Sequence, residues 1–165
     1  MEQKGYTLIE IMVVVGSVSL IMMAVTGVIL GSFRAQNRTK MDNKIMENGS
    51  WIINELRKNV FNSYSDEIEC NDDGKSVQVM NLNDGDITTL SCREIDNKFK
   101  IASDSAKSLV LNNNEVEVVN CTNFVTCEKV GDKVSWVGFN FILRYISNNG
   151  IGASQVFSTK VTLRN

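Results

Sequence analysis

The chain has 165 residues, 43% of them apolar and 22% charged, enough for one compact domain with an appendage but not for two roomy ones. Lys and Arg number 17 against 19 Asp and Glu, a net charge of -2 that lacks the basic excess needed to displace phosphate counterions, so nucleic acid is not an expected partner. Histidine is absent, which removes Ser-His and Cys-His nucleophile pairs, His-ligated zinc and imidazole general bases. Proline is absent too, so helix stops and tight turns fall to Gly, Asn and Asp. No enzyme is expected, and no cofactor.

From Leu8 to Gly31 the sequence is apolar with one ionisable interruption, Glu10. At about 1.5 Å of rise per residue the run is about 36 Å long as a helix, against about 30 Å of bilayer hydrocarbon. Its Leu, Ile and Val residues together favour insertion by roughly 4–8 kcal/mol, more than the roughly 3 kcal/mol a central carboxylate opposes. A cleaved secretory signal fits poorly, because its apolar region spans only about 7–15 residues before a small-residue cleavage site. The run therefore reads as a membrane span. Arg34, Arg38, Lys40 and Lys44 follow it, the side that positive-charge bias assigns to the cytoplasm.

Directly before and within this run stands Gly5-Tyr6-Thr7-Leu8-Ile9-Glu10, behind a short polar leader. This junction resembles the type IV pilin family, including the pseudopilins of type II secretion. The resemblance covers roughly the first 30 residues. It implies cleavage between Gly5 and Tyr6 by a prepilin peptidase, N-methylation of Tyr6, and an inner-membrane subunit whose C-terminal domain lies outside the cytoplasm, the opposite orientation to the one that the positive charges after the run favour. Other pilin or pseudopilin subunits contacting the N-terminal helix, the inner-membrane assembly platform and membrane lipid are the implied partners. Glu10 acquires an assembly role in this setting. A carboxylate inside an apolar bundle needs a cation, and the α-amino group of a neighbouring subunit would meet it in only one axial register. Where many pilins carry a kinking proline this chain has Gly27, which supplies local softness at a helix cost of about 1 kcal/mol.

Past residue 34 the sequence turns polar, with Met41, Ile45, Ile52, Leu56 and Val60 on one helical face as far as about Tyr64. Trp51 and Ile53 flank that stripe, and Asn48-Gly49-Ser50 is expected to bend it. Such a face is expected to pack on the chain's own globular domain.

From Ser65 the period changes to two. Ser76–Leu82 and Asp86–Arg93 flank Asp84-Gly85, a hairpin turn that would pair Leu82 with Ile87, Val79 with Leu90 and Val77 with Cys92. Asp96-Asn97 turns the chain again and returns Phe99 and Ile101. Leu109–Leu111 and Val116–Val119 are short strand candidates around Asn112-Asn113-Asn114. Val134–Ser147 is the clearest strand, with Val137, Phe139, Phe141, Leu143 and Tyr145 on one face. After a turn at Asn148-Asn149-Gly150, Val156–Leu163 closes the chain, with Phe157, Val161 and Leu163 facing inward. The final stretch, Phe157 to Asn165, resembles the end of J-type pseudopilins and related minor pilins.

Cys70, Cys92, Cys121 and Cys127 all follow the apolar run, and an even count there suggests disulfides in an oxidising compartment. Of the possible connectivities, Cys121–Cys127 as a loop clip with Cys70–Cys92 as a tie from helix exit to first hairpin is favoured. Zinc would want tight C-x-x-C pairs, which are missing, so no metal is expected. Asn71-Asp72-Asp73-Gly74 and Asn83-Asp84-Gly85-Asp86 lack the spacing of a calcium loop and read as turns.

The expected fold is α+β: a leader at 1–5, a transmembrane assembly helix over 6–33, its amphipathic continuation over 34–64 as a stalk, and an antiparallel β-domain over 65–165 that the helix covers. The function the resemblance implies is that of a minor pilin or pseudopilin that enters or primes a filament for secretion, DNA uptake, adhesion or motility. The alternative is a single-pass anchored extracytoplasmic binding domain that is neither cleaved nor assembled.

Overall fold

A computed structural model describes residues 7–82, 85–131, 133–146 and 152–163. The fold is α+β, one long helix and an antiparallel sheet. The chain divides between Lys40 and Met41 into two compact units, and helix α1 (Leu8–Phe61) contributes to both. Within the first unit every described residue is exposed.

In the second unit, α1 buries Ile45, Gly49, Ile52, Leu56 and Val60, steps of three and four that make one stripe. Removing the four larger side chains from water contributes roughly 6–12 kcal/mol before entropy is charged against it. Met41 is half-buried on the same side, while Trp51 stays 46% exposed. The helix is continuous through Asn48-Gly49-Ser50, where a bend was expected. Gly49 is buried at a close contact, and the Asn48 amide donates to the Lys44 carbonyl at 3.0 Å instead of opening the helix. The helix ends at Phe61, where Ser63 turns back on Val60 through its N–H at 3.3 Å and its hydroxyl at 2.6 Å. A single 3-10 turn, Ser65–Glu67, leads into the sheet.

Among the described residues nine strands follow: β1 (Glu69–Cys70), β2 (Ser76–Met80), β3 (Ile87–Ile95), β4 (Lys98–Asp104), β5 (Ser108–Val110), β6 (Val116–Val118), β7 (Val125–Val130), β8 (Lys133–Ile146) and β9 (Gly152–Thr162). They are ordered β1-β2-β3-β4-β6-β8-β7, with β5 added to β4 and β9 to β8, and every pairing is antiparallel. The inner face is built by alternation: Val137, Phe139, Phe141 and Leu143 are buried on β8, and Phe157 and Val161 on β9. Phe124 joins Phe139 and Phe141 with ring centroids 5.6 and 6.2 Å apart, and Phe141 stacks on Phe157 at 5.5 Å.

Two turns illustrate how local chemistry decides register. Asp96 and Asn97 both adopt positive φ, 54° and 62°, the geometry of a two-residue hairpin turn, and β3 and β4 pair from Ile95↔Lys98 onward as expected. The β2–β3 hairpin differs from expectation. Its pairs are Met80↔Ile87, Val79↔Thr88 and Val77↔Leu90, a slide of two residues from Leu82–Ile87, Val79–Leu90 and Val77–Cys92. Leu82 is held by the helix exit, its N–H donating to the Asn62 carbonyl at 2.8 Å, and the ladder closes one step earlier, where Asn81 N–H meets Asp86 O at 3.0 Å. A two-residue slide keeps each side chain on its face, so Val77, Val79, Leu90 and Cys92 are all buried. The Asp84 half of the expected turn lies outside the described residues, as does the expected turn at Asn148-Asn149-Gly150.

Candidate functional site

The apolar half of α1 carries the candidate site. Thr7 opens it, its carbonyl accepting from the N–H groups of Glu10 at 3.1 Å and Ile11 at 3.3 Å. Glu10 thus stands in the first turn, where unpaired amides and the helix dipole favour an acid. Gly5 and Tyr6, the expected cleavage and methylation residues, lie outside the described residues.

Beyond Glu10 the surface is continuous grease: Leu20 is 71% exposed, Met23 75% and Val28 70%. Soluble monomers rarely expose so large an apolar surface, so this one calls for lipid or another protein. The helix is long and apolar enough to cross a membrane. Its few hydroxyls are prepared for such surroundings. Ser17 donates to Val14 O at 2.9 Å, Ser19 to Val15 O at 2.8 Å, Thr26 to Met22 O at 2.8 Å and Ser32 to Val28 O at 2.9 Å. Each of these four hydroxyls is satisfied within the helix, as a medium without water requires. Gly27 and Gly31, one turn apart, have nothing within 4 Å of where a β-carbon would stand, a spacing that lets another helix backbone come close.

All four cysteines are oxidised, and the pairing corrects the expectation: Cys70 bonds Cys127 and Cys92 bonds Cys121. The expected Cys70–Cys92 bond is barred by strand order. Cys70 pairs with Val77 on β2, and β2 lies between β1 and β3, which carries Cys92. Two inter-strand spacings put those residues about 9.6 Å apart, beyond the roughly 7 Å a disulfide spans. Cys127 is unavailable to Cys121 because it sits on β7, a strand the sequence pattern does not announce, and β7 lies against β1. Two disulfides in the folded domain fit an extracytoplasmic location.

Among the described residues three ion pairs tie the surface of the second unit. Lys44 on α1 reaches Glu115 at 2.5 Å and lies 5.4 Å from the Tyr145 ring centroid; the bond to Glu115 raises the lysine pKa above its ordinary value. Lys133 meets Asp66 at 2.9 Å, and that bond, with a second from the Ser65 hydroxyl, holds the Asp66 carboxyl below the ordinary carboxylate value. Arg93 meets Asp104 at 2.7 Å. The acidic stretch Asn71-Asp72-Asp73-Gly74 is a turn, as expected: Gly74 has φ 64° and donates to Asn71 O at 3.1 Å, while Asp73 caps the Lys75 N–H at 2.9 Å. Among the described residues no cluster of three His, Cys, Asp or Glu is placed to hold a metal.

Comparison with the models of known protein families, with curated proteins and with solved structures finds no match.

Proposed function

We propose that the chain is a type IV pilin-like subunit, a minor pilin or pseudopilin, whose apolar helix anchors it in the inner membrane and then packs among the helices of a filament. The observation that carries the reading is a wholly exposed apolar helix with a single acid in its first turn, directly after the Gly5-Tyr6-Thr7-Leu8-Ile9 junction. In this reading prepilin peptidase cuts after Gly5, Tyr6 becomes the N-methylated terminus, and its amino group on one subunit meets Glu10 on the next. An acid and an amine that are each costly alone in an apolar bundle favour the one stagger that joins them. Gly27 and Gly31 allow close helix approach, and the disulfide-tied β-domain supplies lateral contacts outside the cytoplasm. The subunit's role is structural, and none of its residues is catalytic.

The test is Glu10→Ala in the full-length chain, with the variant's membrane level as control. An unpartnered amine in the bundle, at roughly 3 kcal/mol, corresponds to about a hundredfold loss of incorporation into the sheared filament fraction. Wild-type incorporation by the alanine variant contradicts the assembly role of Glu10, and a chain that stays in the membrane with its leader intact supports the anchored binding domain instead.

A further inference from the structure

The geometry points to β9 as an edge on which a second copy of this chain pairs, strand against strand and antiparallel. Among the described residues β9 pairs with β8 alone, in a register unbroken from Trp136↔Thr162 to Ile146↔Gly152. The other edges are closed or short. β1 has two residues and is tied to β7 by Cys70–Cys127, and β5 has three.

Which backbone groups face outward follows from the hydrogen bonds beside them. Leu163 N–H donates to Ser135 O at 3.0 Å, so odd-numbered residues of β9 face β8. On the opposite side of β8, Asn140 N–H reaches Phe124 O and Ile142 O accepts from Val119 N–H, both at 2.9 Å, so even-numbered residues of β8 face away from β9. Alternation leaves the N–H and C=O groups of Gly152, Ser154, Val156, Ser158, Lys160 and Thr162 on the outer edge.

Protected edges are interrupted by charge, proline or a bulge. Here proline is absent and the bulge lies across the sheet, in the β7–β8 pairing at Glu128/Lys129. Lys160 is the only ionisable residue between Gly152 and Thr162, and its ammonium is folded over the Trp136 ring, 3.8 Å from the centroid. Val156 is 62% exposed. A two-fold pairing centred on Val156 sets the two valines side by side, Ser154 against Ser158 and Lys160 against Gly152, so no like charges meet. Its outward groups form about ten main-chain hydrogen bonds, the number typical of a specific interface. Such a pairing is closed and uses one strand twice, which makes the second copy the occupant the edge itself specifies. The inference rests on the sheet alone and holds whether or not the chain is processed or polymerised.

The experiment is sedimentation equilibrium of the full chain in density-matched detergent, comparing wild type with Ser158→Pro, Val156→Lys and Val130→Lys. Ser158 N–H points outward, so proline there spares the β8–β9 ladder. The expected result is a wild-type dimer, a dissociation constant at least tenfold higher for Ser158→Pro, and no change for Val130→Lys, which adds a charge to the exposed end of β7. Should Ser158→Pro lose its disulfides or its folded spectrum, Val156→Lys gives the same reading, by setting two ammonium groups against each other. A monomeric wild type, including one that binds a strand of another protein, overturns the proposal. So does a dimer that both β9 variants leave intact.

Discussion

The ring of Phe157 fills the space in which a β-carbon on residue 49 would stand, two of its carbons lying 2.1 Å from that position. The glycine in α1 and the aromatic in β9 are therefore one fitted contact, and the ring has little freedom to withdraw because it stacks on Phe141 at 5.5 Å and 14°.

Gly49→Ala tests this fit. Alanine alone favours a helix by about 1 kcal/mol over glycine. Overpacking a core costs about 1–3 kcal/mol, and an overlap this deep belongs at the upper end, so a net loss of about 2 kcal/mol is expected in chemical denaturation. Phe157→Leu in the same chain should relieve part of that loss, a coupling visible in a double-mutant cycle. An alanine variant as stable as wild type contradicts the contact.

Peptide mapping under non-reducing conditions should recover Cys70 with Cys127 and Cys92 with Cys121. The bonds close segments 57 and 29 residues apart in sequence. Chain entropy then assigns them about 4.2 and 3.6 kcal/mol, so replacing the outer pair by serine should destabilise more than replacing the inner pair. A recovered Cys121–Cys127 peptide contradicts the strand order around β7.

The Asp66–Lys133 pair gives a pH signature. Its folded carboxyl titrates below the ordinary 3.8, so the pair's stabilisation is complete above that value and is lost as pH falls below it, through the folded pKa. Lys44 has the opposite sign: its folded pKa is raised, so its contribution is complete below 10.5 and lost as pH rises beyond. Lys133→Met should move the Asp66 carboxyl up toward 3.8 in a carbon-detected NMR titration. An unmoved Asp66 means that the bond is not made.

What was legible in the sequence is what periodicity and turn chemistry decide locally. The Leu8–Gly31 run, the alternation from Val137 to Tyr145 and the positive-φ pair Asp96-Asn97 each carry their structure within a few residues. The disulfides do not, because strand order decides them: Cys70 is parted from Cys92 by β2, which no spacing along the chain reveals. β7 escaped notice because it buries only Val125 fully and Cys127 in part, leaving Glu128 and Lys129 to look like loop. Gly131, at φ 65° between Val130 and Lys133, was the available signal. Gly49 looks the same in sequence whether it opens a helix or admits a ring, and only the position of Phe157 decides. Of the candidate site, the grease and its acid were visible at once. The self-satisfied hydroxyls, which suit the helix to a waterless medium, depend on side-chain rotamers that residue order does not specify.

Mass spectrometry of the N-terminal peptide from native membranes tests the central claim most directly. Removal of Met1–Gly5, with Tyr6 as the first residue carrying one added methyl group on its amine, is the result expected. An intact peptide beginning at Met1, or a terminus created beyond the apolar run, contradicts it.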